Sequence, residues 1–387
     1  MQGGGRISRS RQGAGQGRRK RVNLRTYLIL ALVALLLVAC YWFFIRTRSA
    51  AELAVHKLPC TADQDVTPFG RSILYYDGST LYSLTSGGSV RWHQNLGPGR
   101  RFAVGDNGIA AWYGSDLTIM GEGGNATYKD NLGENVQFVR LGRKFFAAVV
   151  GEDTSATLLV RNMDGTSVDE EREAFANMLL MDTGFYGEND QYLWTLCLDV
   201  YGTAINSVMN TFQVGKMNTG VVDLGEFLAY KVLFENNRLR VFTTQQMYTY
   251  DYKGVQNVSG TMLVYGWQLI DWAQPERGGA YMLLAPTSQL SSTAVSSTIT
   301  ELRLLNDGQD RRYHLPSSCV GATVSGRKIY GISSSYLYVA DVDEQRFYGY
   351  RLPLPEGTAV TRLLGVTSEP CAIVACGSEV YSIALPR

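Results

Sequence analysis

From residue 73 onward the chain repeats one short arrangement, and that repeat constrains the fold more than anything else in the sequence. The segment ILYYDGSTLYSLTSGGSVRW, residues 73–92, runs as an apolar strand, an Asp-Gly turn, an alternating strand, a Gly-Gly turn and a third strand ending at Trp92. Turns of that composition between such strands make an antiparallel meander. The arrangement returns at IAAWYGSDLTIMGEGGNATY, where Gly124 precedes Tyr128 by four residues just as Gly88 precedes Trp92. It recurs in weaker form from positions near 145, 192, 239, 280, 329 and 372, eight units spaced roughly 35 to 50 residues apart. Repeats of that length with four short strands each are the mark of propeller blades, because radial repetition leaves only short, protected edges. The expected fold class is all-β, a single β-propeller of eight blades, or of seven if two weak units merge.

The last unit offers strands near 359–365, 371–376 and 380–385 but no outer fourth. Residues 51–60, which belong to no blade, are expected to supply that strand and close the ring, since a terminal repeat otherwise keeps an unsatisfied face. Closure of this kind brings Cys60 toward Cys376, so a Cys60–Cys376 disulfide is an expectation of the scheme. The run from Asp169 to Leu180 has apolar residues at helical spacing. The register of the repeat favours a strand end, a loop and the next inner strand instead.

A second feature precedes the repeat. Tyr27 to Ile45 is nineteen residues without a charge, and a helix of that length is about 28 Å long, close to the hydrocarbon thickness of a bilayer. It is expected to be a membrane span within residues 26–46. Eight basic residues precede it, among them Arg18, Arg19, Lys20, Arg21 and Arg25, whereas only Arg46 and Arg48 follow before Glu52. That asymmetry sets the topology: a cytoplasmic tail over residues 1–25 and an extracellular propeller over 51–387. The tail has too few apolar side chains to order itself, and its charge suits anionic lipid headgroups. Leu37-Val38-Ala39-Cys40 also fits the pattern of a lipidated cysteine, although five apolar residues follow Cys40.

Charge argues further about partners. Of 36 basic residues ten lie before position 49, which leaves 26 against 35 acidic residues beyond it, a balance of −9. An acidic outer domain excludes nucleic acid as its expected partner. The six cysteines are dispersed, without the paired spacing of a metal site. His56, His93 and His314 are far apart, and Asp77-Gly78 and Asp164-Gly165 read as turn formers.

Leu81, Tyr82, Ser83, Leu84, Gly88 and Trp92 in the first unit resemble the repeat of quinoprotein-like (PQQ-like) propellers. That superfamily includes quinone-dependent alcohol dehydrogenases and an outer-membrane assembly lipoprotein. Taken whole, a basic tail, one span and an outer propeller, the chain resembles a membrane-anchored propeller family of Gram-positive, Clostridia-type bacteria. The resemblance implies architecture and no activity. A quinone enzyme of that superfamily would carry a calcium site and often a disulfide between adjacent cysteines, and no two cysteines are adjacent here. The turn Ser86-Gly87-Gly88-Ser89 lacks the aspartate of the sialidase repeat. No catalytic, cofactor-binding or metal residue is therefore assigned, and Trp92 and Tyr128 are read as packing between blades. The expected function is a noncatalytic, membrane-tethered platform that binds another envelope protein or polymer. The alternative is an enzyme acting at the channel mouth on envelope polymer or a small extracellular substrate, and clustered carboxylates there would distinguish it.

Overall fold

The computed structural model describes residues 32–38 and 53–386, apart from 217–218, 276–277 and 291–295. The chain divides into two units, Met1–Glu52 and Leu53–Arg387. In the first unit residues 32–38 are α-helical and exposed. Tyr27, Ile45, Cys40 and the basic residues Arg18, Arg19, Lys20, Arg21 and Arg25 lie outside the described residues, and no described helix is long and apolar enough to cross a membrane.

The second unit is an eight-bladed propeller built from eight four-stranded sheets. Blade 1 comprises Asp65–Phe69, Ser72–Tyr76, Thr80–Leu84 and Val90–Asn95, in that order outward, and the first strands of neighbouring blades meet around the axis. Blades 2 to 7 repeat the order over residues 101–131, 136–171, 178–223, 229–263, 267–319 and 321–351. Blade 8 takes three strands from the end of the chain, Arg362–Val366, Cys371–Cys376 and Glu379–Ala384. Its outer strand is Val55–Thr61, from the start of the unit. The ring thus closes by the expected strand, shifted one residue past Cys60.

Burial explains why these segments are strands. Second strands such as Phe145–Val150 and Cys371–Cys376 are covered on both faces and read as unbroken apolar runs. Outer strands such as Ala126–Asn131 keep polar, exposed side chains. The core is divided among the seams between blades, where buried side chains of adjacent sheets interlock. Phe69, Leu74, Tyr76 and Leu81 of blade 1 meet Ile109, Ala111 and Met120 of blade 2. Ile373 and Val380 of blade 8, with Leu58 of its outer strand, meet Ile73, Tyr75 and Leu84 of blade 1. The ambiguous run after Asp169 resolves as the expected strand end, one 3-10 turn at Glu173–Phe175, and the inner strand Met178–Tyr186.

The disulfide expectation is corrected. Cys60 and Cys376 are both free and buried. The sheet order of blade 8 sets Glu379–Ala384 between their two strands, with Glu379 opposite Thr61 on one side and opposite Cys376 on the other. Two strand spacings are about 9–10 Å, beyond the roughly 4.4–6.8 Å Cα separation that a bridge requires. Burial pushes each thiol up to about 11, so both stay protonated.

Trp92 and Tyr128 lie in successive seams. A Cβ on Gly124 of blade 2 would fall 2.6 Å from the Trp92 ring, and a Cβ on Gly165 of blade 3 would fall 1.9 Å from the Tyr128 ring. Both glycines sit in the turn before the outer strand with positive φ, 78° and 90°, so the repeat's glycine serves the turn and leaves room for the preceding blade's ring. Trp92 Nε1 also donates to the Glu122 carbonyl at 3.0 Å. Tyr128 donates to Asp130 Oδ2 at 2.7 Å and accepts from Arg161. Gly165→Ala is expected to cost more than the roughly 1–3 kcal/mol of backbone strain alone, because the Tyr128 ring must leave the seam as well. Gly78→Ala is the control, since Gly78 has φ 102° and nothing within 4 Å of a Cβ. Equal losses in urea unfolding would show that the ring moves freely.

Candidate binding site at the channel mouths

The inner strands wall the central channel, and several bend into it through bulges. Register shifts fall between Val136 and Phe138, Leu180 and Asp182, Ala229 and Lys231, Leu269 and Asp271, and Leu363 and Gly365. A bulge re-aims the side chains beside it. Here it brings Asp182 and Asp271 to the neighbouring inner strand. Arg140 Nε of blade 3 donates to Asp182 Oδ1 of blade 4 at 2.7 Å. Asp271 of blade 6 accepts from the Thr323 hydroxyl and from the Val324 N–H of blade 7 at 3.0 Å, while its other oxygen accepts from the Trp272 N–H at 2.8 Å. Burial pushes the Asp271 carboxyl above the usual range, and these three bonds oppose it.

Two cavities open at opposite ends of the inner strands. One, of 640 Å³, lies at their C-terminal ends between blades 6, 7, 8 and 1, with Asp271, Trp272, Gln274, Thr323, Ser325 and Thr367 among its walls. The other, of 600 Å³, lies at the N-terminal ends between blades 8, 1 and 2, with Asp65, Arg101, Phe102 and Arg362. Among the described residues each cavity is lined by one carboxylate, Asp271 in the first and Asp65 in the second. The first is engaged in bridging two blades, and the second shares its cavity with two guanidiniums, so among the described residues neither cavity is lined by the facing carboxylate pair that hydrolysis of a glycosidic bond uses. Trp272 is 38% exposed beside Asp271, which offers a flat apolar surface near the neutral hydrogen-bonding groups of Gln274, Thr323, Ser325 and Thr367. Chemically this is a contact surface.

The other singled-out residues lie away from the channel. His56, His93 and His314 stand exposed on the outer strands of blades 8, 1 and 6. Asp77 Oδ1 accepts from the Ser79 and Thr80 N–H groups at 2.9 and 2.7 Å, and Asp164 Oδ1 accepts from the Thr166 N–H at 2.9 Å, as turn formers do. Trp112 and Trp194 are buried in seams. Among the described residues no cluster of His, Cys, Asp and Glu could hold a metal ion. Asp271, Arg101 and Arg362 carried no sequence signal, because inner strands are short and their bulges break the alternation that marks a strand.

No family model matches the chain, and no curated protein matches it. Among solved structures it is similar to BamB of Moraxella catarrhalis, at 11% identity over 87% of this chain and 98% of that one with a TM-score of 0.47. Apo AztD of Citrobacter koseri is 13% identical over 78% and 94%, TM-score 0.47. The WD40 domain of Neurospora crassa Pan2 is 8% identical over 85% and 90%, TM-score 0.47. Similarity at this level transfers neither ligand nor activity.

Proposed function

We propose that the chain is a noncatalytic binding platform, tethered by the Tyr27–Ile45 stretch to the outer face of a bacterial cytoplasmic membrane, whose partner is another envelope protein or polymer. The observation that carries the binding role is the described lining of the two cavities: one carboxylate each, with Trp272 and the neutral groups Gln274, Thr323, Ser325 and Thr367 around Asp271. The charge-free length of residues 27–45 and the basic tail support the tether, its topology and contact with anionic headgroups. The resemblance to membrane-anchored propellers of Clostridia-type bacteria points the same way.

Protease added to intact cells is expected to degrade the propeller and spare an N-terminal fragment that contains Arg18 to Arg25. Crosslinking in the same cells is expected to capture an envelope partner, and Trp272→Ala to reduce the yield severalfold. Full protection of the propeller from external protease would overturn the topology. Turnover of an envelope substrate that disappears in Asp271→Asn or Asp65→Asn would replace the binding role with the enzymatic one.

A further inference from the structure

In the first seams of the ring an outer-strand side chain covers the turn glycine of the next blade. Leu58 lies against Gly88, Trp92 against Gly124 and Tyr128 against Gly165. Between blades 4 and 5 the same place is held by Val222, whose Cγ2 is 2.9 Å from a Cβ built on Gly254. Beside it Gly220 runs against the Lys253 carbonyl, 2.8 Å from its own built Cβ, and so adds no side chain. A three-carbon side chain therefore stands where two of those seams hold an indole or a phenol and the third an isobutyl group. Between the same two blades opens a cavity of 340 Å³ whose lining includes Tyr186, Tyr192, Gln213, Gly220, Tyr252 and Lys253, within the range of about 300–1,000 Å³ typical of ligand clefts.

Its walls are aromatic and its rim is polar. Tyr192 and Tyr252 face it with ring centroids 5.5 Å apart, and Tyr186 stacks behind Tyr192 at 5.2 Å. Tyr186 donates its hydroxyl to the Tyr252 carbonyl at 2.8 Å, which holds the two blades' rings in register. Gln213 and Lys253 complete the rim, and the Lys253 ammonium, on an exposed side chain, stands 5.5 Å above the Tyr252 ring. A cationic guest would be repelled by that ammonium. A purely apolar ring would strip water from the Gln213 amide and the tyrosine hydroxyls without replacing it. A pyranose offers C–H faces to the aromatic rings and hydroxyls to the amide, and a carboxylate on it would pair with Lys253.

We propose that this cavity is a binding site for an acidic saccharide, a pyranose ring that bears a carboxylate. The site is separate from the channel mouths and adds a ligand class to the binding role above, and its test needs no membrane, so failure here leaves both the mouths and the tether untouched.

The full-length chain would be titrated with tetragalacturonic acid and with neutral maltotetraose, followed by saturation-transfer NMR and intrinsic fluorescence. Saturable binding of the acidic probe is expected, weakened roughly tenfold or more by Tyr192→Ala and by Lys253→Ala. The neutral probe is expected to bind more weakly and to be indifferent to Lys253→Ala. If Tyr192→Ala fails to fold, Lys253→Ala decides alone, because its exposed side chain can be truncated without disturbing the seam. Absence of saturable binding, binding of the acidic probe that is unchanged in Lys253→Ala, or occupation by a tryptophan-bearing peptide in place of the saccharide would overturn the proposal.

Discussion

Removal of residues 53–61 is expected to abolish cooperative folding of the propeller rather than to trim it. The strand Val55–Thr61 pairs with Glu379–Ala384 through Val55 with Ile383, His56 with Ser382, Lys57 with Tyr381 and Thr61 with Glu379. Side chains of the deleted segment reach into two seams, Leu53, just before the strand, between blades 7 and 8 and Leu58 with Cys60 between blades 8 and 1. Burial of a large aliphatic side chain is worth about 1.5–3 kcal/mol, so the two leucines alone offset a large part of a net stability of about 5–15 kcal/mol. The deletion would also expose the edge of Glu379–Ala384, a row of unpaired backbone groups open to association. Urea unfolding should lose its single sharp transition, and the protein should aggregate at concentrations where the intact chain is monodisperse. A transition within about 1 kcal/mol of the intact chain's would show that the ring closes without this strand.

The second large effect is expected from Glu235→Ala, at the seam between blades 5 and 6. Arg240 Nη2 lies 2.7 Å from Glu235 Oε1, with the two side chains 6% and 1% exposed. The other carboxylate oxygen accepts from the Ala280 N–H of blade 6 at 2.7 Å, and Arg240 Nη1 donates to Thr249 Oγ1 at 2.7 Å. Truncation leaves a buried guanidinium and a buried N–H without their main acceptor, at a cost of about 3–5 kcal/mol. Asp307, 3.4 Å from Arg240, retains part of the charge compensation and places the expected loss at the lower end. Replacing both members, Glu235→Leu with Arg240→Met, should recover most of it, because the cost arises from the unpaired charge rather than from the missing pair. The measurement is the urea midpoint at unchanged slope. A single-mutant loss below about 1 kcal/mol would mean that Asp307 suffices.

The blade count, the positions of the second strands and the identity of the closing segment were all legible in the sequence, and the reason is local. A strand covered on both faces must be apolar at every position, as in Ile73–Tyr76 and Cys371–Cys376, and a tight turn that requires positive φ selects glycine, as at Gly88, Gly124 and Gly165. Those demands write themselves into a few consecutive residues and repeat with each blade. What only the tertiary structure decided depends on residues that meet across a seam. The strand order of blade 8 separates Cys60 from Cys376, although proximity along the closing sheet invited a bridge. Bulges one residue long turn Asp182 and Asp271 toward the neighbouring blade, and a shift of one position moves a side chain to the opposite face of its strand. The cavity between blades 4 and 5 is walled by Tyr192 and Gly220 on one side and by Tyr252 and Lys253 on the other, more than thirty positions further along the chain. No window of sequence contains both sides of such a contact, so the repeat reveals that seams exist and packing alone reveals where a cavity opens between them.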